Sequence, residues 1–327
     1  MNEKILVISE DGLPDIRVEK EIYTLIKHGF QVYFVGYYKG LTGVFDELFK
    51  DKLRVYSVKW GKVTNLLIPI HRYFVKKKML KLINEIKPDV ILAVNPVAYY
   101  FVKDSGIPVV FDYHEIWSIM LRELEINGFH RKIYHWRRKA VYEWLEESLI
   151  PDSNIIVVSE RRAKFIAERY NPRRVFILRN YPSRLEFENF NFEYLDCNTR
   201  VFTYVGRELL NYGGLKIRDL RLTLDVLKTL WSKHRNFKVV VLGASGSTYE
   251  FIDAKGFVKH KEIYSYTSRS HYGILSFKPS SFNPMHETNK CYIYAVSGAI
   301  PIITSDMLDT IDKIDGYSII VDAQDFN

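Results

Sequence analysis

The stretch Phe277–Thr304, FKPSSFNPMHETNKCYIYAVSGAIPIIT, holds the densest polar chemistry of the chain. A loop of Pro, Ser, Asn and His carries His286, Glu287 and Thr288 into a short helix that opens at Asn289 and Lys290 and closes on Gly298. Apolar strands at Gly273–Phe277 and Ala299–Thr304 flank it. The polar segment therefore sits at the carboxyl ends of two parallel strands, where open α/β sheets bind ligands. Gly206-Arg207 follows another apolar run, and Tyr212-Gly-Gly-Leu-Lys216 lies in the same loop. Glycine lets backbone N–H groups approach a phosphate while Arg207 and Lys216 neutralise it, which is what a diphosphate needs. A Gly-Arg in that place also makes an ordinary turn. Gly243-Ala-Ser-Gly246 offers a second close approach of backbone to ligand. Neither it nor the Glu10–Asp15 loop fits GxGxxG, which argues against an NAD-dependent enzyme. In the first half, Phe111-Asp-Tyr-His-Glu115 ends a buried strand with a burst of ionisable groups. His114 there faces a cleft or ligand, or is satisfied by Glu115 or a backbone group. Asp15 and Arg17 lie at the mouth of the first strand-to-helix loop, where Asp15 either caps the helix or meets a ligand.

These residues need a frame of alternating strands and helices. Lys4–Ser9 is a short, nearly all-apolar run, the mark of a strand covered on both faces. Arg17–His28 repeats Val18, Ile22, Leu25 and Ile26 at helical spacing and Gly29 closes it, after which Gln31–Gly36 is the next buried strand. The pattern continues with strands near 54–58, 90–94, 109–113, 155–159 and 175–179, and with helices over 70–86, 129–149 and 160–170. It predicts a Rossmann-like domain over 1–182. Ser183–Thr199 has no clear period and is taken as the interdomain connection. A second α/β series fills 200–327, with strands at 200–205, 238–242, 257–259, 272–277, 299–304 and 318–321. Its helices are expected over 218–233, 261–268 and 289–297. The predicted fold class is α/β: two facing Rossmann-like domains, each a parallel sheet with helices on both faces.

Composition bounds the class. The 327 residues, 47% hydrophobic and 26% charged, suit two ordinary soluble α/β domains. No apolar run is long enough for a membrane span and Met1–Glu10 is not a signal peptide, so the expected compartment is the cytoplasm. Cys197 and Cys291 have no metal or disulfide spacing. A net charge of +8 points to polyanionic partners. Nucleic acid is not the expected one, since no RNP-like motif or recognition helix is present.

Taken in order, GLPDIRVEKEIYTLIKHGFQVYFV, KPDVILAVNP, VVFDYHEIW, NIIVVSE, VFILRNYP, TYVGR and NKCYIYAVSGAIPIIT resemble the GT-B glycosyltransferases of the large family 4 type over nearly the whole chain. The resemblance implies a nucleotide-sugar co-substrate, UDP- or GDP-linked, held by the second domain, and a glycan or lipid-linked acceptor held by the first. It implies retention of anomeric configuration and no metal or other cofactor, and no Asp-x-Asp occurs in the chain. Position by position, Gly206 and Arg207 match the donor-diphosphate loop, with Lys216 a second cation and Gly243 beside it. Phe257 and Val258 match the segment bordering the nucleobase. His114 matches the histidine near the donor sugar and reaction centre, with Asp15, Arg17 and Glu115 toward the acceptor. Asn289 and Lys290 match the Asn-Lys opening the donor helix, with His286, Glu287 and Thr288 facing sugar and phosphates. The family's two glutamates fall on Met285 and Ile293, and Glu287 stands two residues off. The long C-terminal helix common in the family has no counterpart after Val321, which fits a compact variant or a shortened chain. The expected activity is hexosyl transfer; the alternative is a nucleotide- or glycan-binding module of the same fold.

Two helices bear on the partner surface. In 70–86, Val75, Met79, Leu82, Ile83 and Ile86 form one face and Arg72, Lys76, Lys77, Lys78 and Lys81 the other. In 129–149, Ile133, Trp136, Ala140 and Trp144 form the expected apolar stripe, with Arg131, Lys132, Arg137, Arg138 and Lys139 in its first half. Cations at a helix start oppose the macrodipole, so either they are a solvated face or an anionic membrane surface favours them.

Overall fold

The computed structural model describes residues 3–123, 128–188, 198–206, 220–247, 249–314 and 316–322. The chain divides into two compact units, the first running to Arg179 and the second from Asn180. Each is a parallel α/β unit.

The first sheet has seven strands in the order β3-β2-β1-β4-β5-β6-β7. These are β1 (Lys4–Leu13), β2 (Gln31–Tyr38), β3 (Leu53–Ser57), β4 (Val90–Val94), β5 (Val109–Asp112), β6 (Asn154–Val157) and β7 (Arg174–Ile177). Leu6, Val7 and Ile8 of β1 are fully buried because helices cover both faces, while the outer strands β3 and β7 expose Val55, Phe176 and Ile177. β1 pairs with both β2 and β4, so the strand order reverses between β1 and β4. Gly12, at φ +81°, allows the bend at the end of β1, where any Cβ would lie 2.0 Å from the Tyr37 carbonyl oxygen.

The second sheet has six strands in the order β10-β9-β8-β11-β12-β13. Its strands are β8 (Arg200–Val205), β9 (Phe237–Leu242), β10 (Ile252–Ala254), β11 (Tyr272–Leu275), β12 (Ile300–Thr304) and β13 (Ile319–Val321). One face packs Tyr204, Val239 and Val241 on Leu224 and Leu227 of the Leu220–Lys233 helix. The other packs Val205, Leu242, Leu275 and Phe277 on Cys291, Tyr292 and Tyr294 of the Asn289–Val296 helix. Order reverses here between β8 and β11.

The expected strand at 257–259 is not formed; that segment is loop, and the strand beside β9 is Ile252–Ala254. Both stretches are short and partly apolar, and the one that meets the open edge of β9 forms the strand. Two short helices, Pro96–Val102 and Trp117–Arg122, went unseen because they are too short to show a period. In the Phe129–Leu149 helix the buried face is Val141, Tyr142, Leu145 and Leu149, and the expected stripe Ile133, Trp136, Trp144 is exposed. That helix carries two apolar stripes, and spacing alone does not say which one meets the core. Within the expected connection, Arg184–Phe187 is a helical turn closed by a Ser183/Glu186 capping box. Among the described residues no helix is long and apolar enough to cross a membrane.

Candidate active site

The carboxyl ends of β1, β4 and β5 bring polar groups together where the first sheet reverses order. Asp112, the last residue of β5, is fully buried. One of its oxygens accepts from the Arg17 guanidinium, and the other meets His114 Nε2 at 2.6 Å. Arg17 also donates through Nε to Glu21 at 3.4 Å. Burial pushes the Asp112 carboxyl up, but the charges of Arg17 and His114 outweigh it and hold the group at about 2. Asp112 is thus a fixed anion between two nitrogen donors. Nε2 of His114 faces Asp112, so Nδ1 is the ring nitrogen turned away from that carboxylate.

Asn95, directly after β4, takes up φ +69°. Its amide donates to Asp11 at 2.6 Å, its side-chain oxygen accepts from the His114 N–H at 3.4 Å, and its own N–H donates to the Asp112 carbonyl at 2.9 Å. Glu10 beside it accepts from Val97 N–H at 3.1 Å and from the Tyr142 hydroxyl at 2.8 Å. Burial, then the charge of Asp11, push the Glu10 carboxyl up to about 7. Burial also raises Asp11. The site is therefore rich in carboxylates of different standing: Asp112 held ionised, Glu10 poised near neutrality.

Asp15, expected at the mouth of this site, caps the Ile16–Lys27 helix, its side chain accepting from Arg17 N–H at 2.9 Å and Val18 N–H at 3.4 Å. Arg17 is buried, turned toward Asp112 and Glu21. His114 stands at the cluster's edge with Asp112 as its carboxylate partner, not Glu115. Glu115 pairs with the buried Arg162 at 3.2 Å, and Arg162 also donates to the His114 carbonyl. Glu21, Asp112 and His114 place ligand atoms within 4.8 Å of one another. They fit a metal poorly, because Arg17 already brings the positive charge against both carboxylates.

In the second unit the ends of β8, β9 and β11 converge in the same way. Gly206 follows β8, its N–H donating to the Leu242 carbonyl at 2.8 Å. Gly243 follows β9 at φ +111° and bonds the Gly256 carbonyl at 2.7 Å. Tyr294, from the middle of the Asn289–Val296 helix, accepts from Val205 N–H at 3.0 Å and so ties that helix to the residue before Gly206. Its ring fits only because position 273 is glycine, where a Cβ would come within 2.2 Å of it. The loop before the helix is pinned by Thr310, whose hydroxyl donates to the His286 carbonyl at 2.9 Å and accepts from Thr288 N–H at 3.3 Å. Thr288 is the N-cap with no side-chain cap bond, and Asn289 and Lys290 follow, half-buried. Glu287 is buried and accepts from the Tyr292 hydroxyl at 2.7 Å, while Ile293 lies in the core. Phe257 is exposed and Val258 half-buried, in the loop that replaces the expected strand. Arg207, Lys216 and Cys197 lie outside the described residues. Cys291 is buried, and burial raises its thiol, which makes it inert.

Residues 22–180 match the sequence model of Glycosyltransferase Family 4. Over these residues, most of the first unit, the chain carries the Glycosyltransferase Family 4 sequence pattern. Solved structures similar to this glycosyltransferase share its fold. A sucrose-phosphate synthase from Thermosynechococcus elongatus matches with TM-score 0.65 at 10% identity, covering 100% of this chain and 87% of the other. A trehalose-6-phosphate synthase matches with TM-score 0.64 at 10% identity, covering 99% and 89%. A UDP-GlcNAc 2-epimerase from Methanocaldococcus jannaschii matches with TM-score 0.54 at 11% identity, covering 98% and 89%. At such identities the likeness is one of fold. No curated protein sequence matches the chain significantly.

Sequence reasoning missed Glu10, Asp11, Asn95, Arg162 and Thr310. The first three stand directly at strand ends of the switch point and could have been found by placing every polar residue after β1 and β4. Arg162 sits in the Glu160–Tyr170 helix and carried no local signal. Glu186, which accepts from His260 at 2.7 Å and Tyr264 at 2.8 Å, announces itself only through the Ser-x-x-Glu cap.

Proposed function

We propose that this glycosyltransferase carries a nucleotide-linked sugar on its second unit and delivers it to an acceptor hydroxyl held by the first. The observation that carries the reading is that the 3.0 Å Val205–Tyr294 bond holds the body of the Asn289–Val296 helix against the strand end that leads into Gly206. Glycine backbone and a helix start without a side-chain cap together favour a diphosphate. Arg207, Lys216 and Lys290 supply the charge, Gly243 the second backbone approach, and His286 to Asn289 the sugar contacts. The exposed ring of Phe257, with Val258, suits a nucleobase. A UDP-linked donor is supported by the name of the similar epimerase, which acts on UDP-GlcNAc.

In the transfer the bond from the anomeric carbon to the diphosphate oxygen breaks, its electrons leaving with the nucleotide. The acceptor oxygen forms the new bond and gives up its proton. Arg207 and Lys290 stabilise the charge gathering on the diphosphate, usually the dominant contribution in such a step. His114, held by Asp112, orients the sugar or shares the proton; Arg17 acts by fixing Asp112 and Asp15 by capping the helix that carries Arg17, with Glu115 toward the acceptor. The acceptor is a glycan or a lipid-linked sugar, and the transfer retains configuration without a metal. Incubation with a panel of UDP- and GDP-sugars tests this. Release of UDP or GDP, even by slow hydrolysis, with product configuration read by NMR, supports it. Binding without release across the panel points to a binding module, and neither binding nor release overturns both readings.

A further inference from the structure

The Pro69–Ile86 helix buries Met79, Ile83 and Ile86 and leaves its opening turns in solvent. Ile70 is 64%, Tyr73 61% and Phe74 60% exposed, with Leu67 and Ile68 exposed just before them. The Phe129–Leu149 helix does the same at its own start, where Phe129 is 74% and Trp136 69% exposed. The two starts belong to one surface. The 3₁₀ turn Val63–Leu67 leads into the first helix and packs against the second, and the Lys62 ammonium lies 5.4 Å from the Tyr134 ring centroid. The charge on this surface is mainly positive, with Asp104 beside Lys76, Glu85 beside Lys81 and Glu143 beside Lys139 as acidic neighbours. Residues 62–81 hold six Lys and Arg with no Asp or Glu, and residues 129–139 hold five with none.

We propose that this surface docks on an anionic lipid bilayer. Exposed aliphatic and aromatic side chains inside a ring of cations are what an interfacial helix presents to acyl chains and acidic headgroups. Tyr73 and Trp136 have the apolar ring and polar edge that suit the headgroup level. Nucleic acid fits less well, because Leu67, Ile68 and Ile70 gain nothing from a phosphate backbone or a base face. The surface also reaches the site within the first unit: Tyr142, on the helix that carries Trp136, donates to Glu10 at 2.8 Å. Docking is independent of the transfer chemistry, so either can fail alone.

Co-sedimentation of the full chain with vesicles tests the proposal. The expected result is binding to phosphatidylcholine vesicles containing phosphatidylglycerol at least about tenfold tighter than to pure phosphatidylcholine, weakened about tenfold or more by raising salt from about 0.05 to 0.5 M. F74S/F129S/W136S, at solvent-facing positions, loses about tenfold in affinity, and K77E/K78E/K132E loses the preference for acidic vesicles. The charge control K233E/K261E, on the second unit, binds as the wild type. Circular dichroism melting confirms that each variant is folded. No binding at low salt, equal loss in the control, or a single-stranded RNA bound as tightly as the acidic vesicles overturns the proposal.

Discussion

Arg17 and Asp112, 95 residues apart, meet in the interior of the first unit, where the guanidinium takes one carboxylate oxygen and leaves the other to His114. This contact joins the helix after β1 to the end of β5 and fixes the histidine in the same step. Breaking a buried pair from one side leaves an uncompensated charge, so Arg17→Met should cost about 3–5 kcal/mol of stability by denaturant unfolding. The double variant Arg17→Met/Asp112→Asn should recover part of that loss. A loss below about 1 kcal/mol in the single variant would show that the pair does not hold the site together.

His114→Ala should lower turnover about 100-fold or more while donor affinity stays within about threefold. Asp112→Asn leaves an oxygen for Arg17 but can present an N–H to His114 Nε2, reversing the tautomer. It should lower turnover by a comparable factor with a folded, binding-competent protein. Steady-state kinetics beside donor calorimetry distinguish the outcomes, and wild-type turnover in His114→Ala removes the residue from the reaction centre.

Arg207→Ala should weaken binding of free UDP or GDP about tenfold or more, since a charge-assisted hydrogen bond is worth about 1.5–3 kcal/mol. Unchanged affinity by calorimetry would remove Arg207 from the diphosphate site.

Gly273→Ala should destabilise the second unit, because the added methyl would press on the Tyr294 ring within 2.2 Å and push it from Val205. Overpacking costs about 1–3 kcal/mol, and nucleotide affinity should fall along with the melting temperature. Tyr294→Phe removes only the hydroxyl and should cost about 1–3 kcal/mol, because Val205 N–H then loses its partner. A melting temperature unchanged in both variants would break the proposed link between the helix and Gly206.

Glu10 and Glu19 are both raised by burial to about 7 from an ordinary 4.5. Between those values the folded state binds protons that the unfolded chain has released, so stability falls as pH rises through that window. A tenfold difference in proton affinity between the folded and unfolded chain is worth about 1.4 kcal/mol, so each group can account for up to about 3 kcal/mol lost between about pH 4.5 and 7. Glu10→Gln can still accept from Val97 N–H and donate to Tyr142, and should flatten this pH dependence by roughly half. Urea midpoints at several pH values provide the check, and an unaltered slope would mean that Glu10 titrates normally.

How much could be read in advance follows from what each signal depends on. The helices Phe129–Leu149 and Glu160–Tyr170 and the strands β4 and β8 were found to the residue, because buried parallel strands and long helices write their period into consecutive residues. The switch-point loops were legible for a similar reason: Gly206, the Asp112–Glu115 cluster and the loop at 286–290 break apolar runs abruptly.

The sequence alone determined that the chain alternates strand and helix twice over, that polar clusters break its apolar runs after β5, β8 and β11, and that it resembles the GT-B glycosyltransferases. Only the tertiary structure decided that Arg17 turns inward to Asp112, that Asn95 and Asp11 join His114, and that Tyr294 reaches Val205 across the space left by Gly273. It also decided which stripe of the Phe129–Leu149 helix meets the core and which stays in water. Local periodicity sets which residues share a face. Which face is buried, and which distant charge answers a buried one, depends on the partner element that the fold brings alongside.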